Sequence, residues 1–125
     1  MKLGIVSDLH CNIDGLDRAH EGAIQALARI YEGQGDWNRL NDKGYAHDWA
    51  READALVTKL IRERDYAKLI QWTALGKSVE LAVNSAEHYV PLLYILGLSH
   101  ANEKPEFFNA EAVGGALTMT SVRFG

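Results

Sequence analysis

The sequence predicts a single α/β domain, and three observations carry that expectation. They are a short apolar, partly β-branched run at residues 3–7, helix-period apolar stripes through the middle of the chain, and an alternating β-branched run at residues 117–124. The implied order is an N-terminal strand and helix, then further helices, then a C-terminal strand. A length of 125 residues suits one domain and leaves no room for two independent cores. With 47% apolar and 24% charged residues the composition is that of an ordinary globular chain, which argues against a disordered or fibrous class. The 17 acidic residues outnumber 13 basic ones for a net charge of −4, so the electropositive footprint that nucleic-acid backbones select is missing and no nucleic-acid partner is expected.

The first element, LGIVS at residues 3–7, opens into the polar stretch Asp8-Leu9-His10-Cys11-Asn12 and reads as a buried strand feeding a loop. From Ile13 the apolar residues Leu16, Ala23, Ile24, Leu27, Ile30 and Tyr31 follow at helical spacing, until Gly33-Gln34-Gly35 ends the helix. Turn formers crowd residues 36–44 and mark a junction, so the one domain divides into segments 1–35 and 36–125. From Trp49 onward Ala50, Ala53, Leu56, Val57, Leu60 and Ile61 make one stripe. Arg51, Glu52, Lys59, Arg62 and Glu63 fall largely opposite, which predicts an amphipathic helix.

Asp65 stands where its carboxylate can accept from first-turn amides, capping a short helix that reaches Trp72, and Gly76 then breaks the chain. Ser85 is the expected cap of a helix through His88 that ends near Gly97, with Pro91 expected to kink or restart it. Residues 99–109 read as a polar, proline-containing loop, and residues 117–124 as the closing strand. Trp49, Trp72 and Tyr94 fall on apolar stripes and are expected in the core, while His20, His47 and His100 are expected in solvated or capping roles. Cys11 stands alone, so no intrachain disulfide can form. The N-terminal apolar run is interrupted by Asp8 and His10 before it could lead a chain into or across a membrane, and the expectation is a cytoplasmic protein without a membrane partner.

Two constellations carry chemistry. In Asp8-x-His10 a two-residue step aims a carboxylate and an imidazole the same way from extended backbone, which suits a shared metal; Asp8 with Asn12 at a strand-to-helix junction equally suits helix capping. The second is Ser85 to Gly97, SAEHYVPLLYILG, where His88 stands near the start of an otherwise apolar helix. An imidazole there fits a satisfied core residue, or a metal ligand or base in its neutral form.

The opening MKLGIVSDLHCNIDGLDRA, residues 1–19, resembles the start of calcineurin-like metallophosphoesterases. That resemblance implies that Asp8 bridges two metal ions, that His10 binds one of them, and that the reaction is hydrolysis of a phosphate ester. The later metal-binding blocks of that family have no counterpart in this sequence.

Residues 37–125 resemble the C-terminal portion of class III extradiol ring-opening dioxygenases of the DOPA dioxygenase type. The matching pieces are DWNRLNDKGYAHDWA (36–50), HYVPLLYILG (88–97) and GGALTMTSVRFG (114–125), in the family's order and spacing. The resemblance implies a partial extradiol-dioxygenase fold, with His88 as a ligand of a catalytic Fe(II) or Zn(II). It also implies a small aromatic diol and dioxygen as substrates. The family's catalytic-base histidine should lie just before the tryptophan matched by Trp37, but ARIYEGQ at residues 28–34 has none, and the two N-terminal ligand histidines also lack counterparts. The expectation is therefore an incomplete ligand set, to which Asp8, His10 or His20 could contribute, with a non-catalytic remnant as the alternative to an enzyme. A fold cut to this length leaves strand edges and apolar stripes uncovered, which predicts a homo-oligomer.

Overall fold

The computed structural model describes residues 3–5 as backbone, together with residues 37–39, 42–83 and 86–125. Helices and small antiparallel sheets share one core, which agrees with the α/β expectation at that coarse level. The expected helix from Ile13, the polar run after residue 7 and the Ser85 cap lie outside the described residues.

The long helix α1, Asp48–Glu63, forms where the sequence stripe predicts it and buries Ala50, Ala53, Leu60 and Ile61. It ends at Arg64, whose left-handed backbone (φ 56°) turns its amide back onto the carbonyls of Ile61 and Leu60. That conformation is unfavourable for a residue with a Cβ. The Arg64 guanidinium offsets it by donating to the carbonyls of His100 (2.8 Å) and Glu103, which ties the end of α1 to the loop before the sheet.

Asp65 caps α2, Tyr66–Ile70, accepting from the Lys68 amide at 3.4 Å as expected. The Lys68 ammonium, 2.5 Å from the other carboxylate oxygen, holds the Asp65 carboxyl below its usual range through that hydrogen bond. The expected single helix to Trp72 is instead two pieces, since a separate turn of 3-10 helix covers Trp72–Ala74. Beyond Gly76, whose φ of 109° suits glycine, a further helix α3, Lys77–Ala82, packs on α1. Its six residues are too short to show a period in the sequence. Only Val79 is buried among them.

The fourth helix, α4, runs Ala86–Leu98 without a break at Pro91. The proline removes the bond to the Glu87 carbonyl, but both residues are exposed, so water can take the freed acceptor. Tyr89, Ile95 and Leu96 face inward, whereas Tyr94 is 70% exposed and so is not the core residue expected of it.

The closing strand forms as two pieces, β4 (Leu117–Thr118) and β5 (Ser121–Phe124). β5 is the centre of a three-stranded antiparallel sheet between β1, Leu3–Ile5, and β2, Pro105–Phe108. β2 falls inside the expected loop. Proline is tolerated as the first residue of a strand, and the pairing of Phe107 with Val122 and of Glu106 with Arg123 supplies what local sequence does not signal. β3, Ala112–Val113, pairs with β4 in a separate two-stranded sheet. Leu60, Ile61, Leu69, Leu96, Val122 and Phe124 join both layers in the main core.

Candidate functional site

A cavity of about 210 Å³ opens between α1, α3, α4 and the segment 116–122. Its walls follow from the burial stripes. Ala50, Ala53, Val57 and Ile61 recur at three- and four-residue steps and present one face of α1. Val79 and Val83 come from α3 and its end, Tyr89, Leu92 and Ile95 from α4, and Phe107 from β2. Small side chains on α1 and at Ala116 leave the space that larger residues would fill. An apolar cavity of about 150 Å³ holds a benzene molecule, so the volume here admits one aromatic ring with short substituents.

His88 lines this cavity, half-buried, in the first turn of α4. The other polar groups on the wall are Asp54, the hydroxyls of Thr58, Thr118 and Thr120, and Ser121. The Ser121 hydroxyl is committed, donating to the Met119 carbonyl at 3.1 Å. Tyr89 turns its hydroxyl away from the cavity chemistry and donates to the Leu69 carbonyl at 2.9 Å in the core; burial pushes its phenol up to about 12.

Of the residues assigned from sequence, His88 is the one that lies among the described residues; Asp8 and His10, with Cys11 and His20, lie outside them. The three sequence pieces that carry the dioxygenase resemblance meet here. HYVPLLYILG provides His88 and Tyr89, GGALTMTSVRFG provides residues 116–122, and the end of the first piece provides Ala50. The first and last also touch at Gly115. The His47 amide donates to its carbonyl at 2.7 Å, and a Cβ built on it would stand 2.8 Å from the Tyr45 ring and 2.9 Å from the His47 ring. With φ at 80° and no space for a side chain, this position takes glycine for two reasons.

His47 is the backbone N-cap of α1, but its side chain makes no capping bond and instead stacks 5.9 Å from the Trp49 ring. His100 is exposed, and its amide donates to Glu103 at 2.8 Å. Sequence reasoning missed Asp54. The signal was its place three residues before Val57 and seven before Ile61, inside the apolar stripe of α1 where a carboxylate is out of pattern.

A metal centre of the implied kind needs several ligands converging on one point. Among the described residues no three His, Cys, Asp or Glu side chains converge to hold one, and the cavity wall offers one imidazole and one carboxylate. The described residues therefore do not by themselves fit the Fe(II) or Zn(II) centre implied by the resemblance. No helix among them is long and apolar enough to cross a membrane. No family model, curated protein or solved structure matches the chain.

Proposed function

We propose that this chain is a protein of the extradiol ring-opening dioxygenase type, acting on a catechol such as DOPA with dioxygen as co-substrate. One observation supports the reading: the stretches that carry the sequence resemblance, well separated in the chain, wall one cavity of single-ring size with His88 on its surface. The apolar side chains keep water from the ring faces, and His88 borders the space the ring would fill. Fe(II) or Zn(II) belongs to the reading, with His88, Asp8 and His10 as the residues that would hold it. Self-association is part of the same proposal, supported by the exposed apolar residues Ile70, Tyr94 and Leu98.

The test is to supply the purified chain with Fe(II), oxygen and DOPA and to follow the absorbance of a ring-opened semialdehyde, alongside elemental analysis for bound metal. Product that disappears in His88→Ala, with near-stoichiometric metal in the parent chain, is the expected result. A chain that binds neither Fe(II) nor Zn(II) and leaves DOPA intact overturns it.

A further inference from the structure

The charges on the described cavity wall are unbalanced. Asp54 is half-buried on its wall, and neither Lys nor Arg is among the described lining residues. Two other acids of α1 are engaged on its outer side: Glu52 accepts from the Ser78 hydroxyl, and Glu63 pairs with Lys59 at 3.9 Å. Asp54 has no ion-pair or hydrogen-bond partner among the described residues, although it stands inside the stripe that faces the cavity. Removing a carboxylate partly from water without a counter-charge is unfavourable, and a bound cation relieves it.

Thr58 lines the same wall one helical turn beyond Asp54, so a carboxylate and a hydroxyl are adjacent acceptors on one face. A primary ammonium has three donors and no acceptor, which matches that pair. The remaining wall is apolar or aromatic, including Val57, Tyr89, Leu92 and Phe107, and is wide enough for one ring.

We propose that the cavity binds primary aryl-alkyl amines, with the ring between α1, α4 and β2 and the ammonium on Asp54 and Thr58. Asp54 is the specificity-determining residue. A ligand carrying a carboxylate beside the amine, as phenylalanine and DOPA both do, meets no lysine or arginine among the described lining residues and binds more weakly than the amine alone, so a catechol amine lacking that carboxylate is held better than DOPA itself. The inference uses the same cavity as the dioxygenase reading but makes no use of ring opening.

The experiment is calorimetric or NMR titration of the full chain, without added metal, with 2-phenylethylamine, 2-phenylethanol, phenylalanine and 3-phenylpropionate. The amine should bind on the order of fivefold tighter than the alcohol, the ratio of a partly solvated ion pair, and 3-phenylpropionate should bind weakest. Asp54→Asn should bring the amine down to the alcohol and leave the alcohol unchanged. Raising the salt concentration should narrow the amine's advantage in the parent chain, which provides a readout should the variant fail to fold. Equal binding of amine and alcohol, an advantage that survives Asp54→Asn or is indifferent to salt, or binding of none of the four overturns the proposal. Because 2-phenylethylamine has no ring hydroxyls, a chain that binds it and leaves DOPA intact loses the dioxygenase reading alone.

Discussion

Helices α1 and α4 are of similar length, 16 and 13 residues, and handle their apolar side chains in opposite ways. α1 keeps its apolar residues on one face and gives solvent a charged one, where Arg51 reaches back to the Gly44 carbonyl at 2.5 Å and Lys59 pairs with Glu63. α4 is apolar on nearly every side. Its inner face fills the core with Tyr89, Ile95 and Leu96, while Val90, Tyr94 and Leu98, spaced at one-turn intervals, stand 37%, 70% and 66% exposed. An amphipathic helix is complete once it has one surface to cover, whereas a helix apolar all round suits burial on more than one side. The difference teaches that α1 spends its apolar face on the core and the cavity, whereas α4 does the same and still leaves an apolar stripe exposed.

Two leucines of α4, two residues apart, give the sharpest test of that contrast. Leu96 is 2% exposed, and Leu96→Ala should lower unfolding stability by about 2–5 kcal/mol, the range for emptying a packed core site, read by chemical denaturation. A loss below about 1 kcal/mol would mean that the inner face collapses around the gap and is not a packed core site.

Tyr89→Phe should remove about 1 kcal/mol by leaving the buried Leu69 carbonyl without its donor. The same residue sets a pH dependence. Its phenol is held near 12 in the folded chain against an ordinary value of 10.0, so between those values the unfolded chain loses the proton while the folded one keeps it. The Tyr89 contribution to stability is therefore complete below pH 10 and is lost as pH rises towards about 12. Denaturation midpoints across that interval should fall more steeply for the parent chain than for Tyr89→Phe; parallel curves would exclude the assignment.

The smallest stability effect is expected on the outer face. Tyr94→Ser and Leu98→Ser should each change stability by less than about 0.5 kcal/mol. Together they should move the chain towards the monomer in sedimentation. An unchanged association state would leave the exposed stripe without a role in assembly.

Legibility in the sequence tracked how local the cause was. The stripe of α1, the Asp65 cap and the β-branched run at the chain's end were readable because each rests on neighbours within a turn or on alternation along one strand. α3 and β2 were not, because α3 has six residues and β2 depends on pairing with a strand more than ten residues further along the chain. Tyr94 was misread for the complementary reason: on a helix apolar all round, periodicity does not say which side is inward. His88 was legible as a residue with chemistry, but its place on the cavity wall was not. Asp54 was overlooked because a lone carboxylate on a well-formed amphipathic helix passes for ordinary surface charge until the opposing wall is known.

By itself the sequence determined what depends on spacing alone: the long amphipathic helix, the cap at Asp65, and an imidazole beginning an apolar segment. Only the tertiary structure decided that β5 lies between β1 and β2, that Gly115 meets Tyr45 and His47, and that Asp54 and His88 border one ring-sized cavity. The reason is physical. Local periodicity orients a side chain relative to its own helix or strand, whereas a cavity is made by what the neighbouring elements leave unfilled.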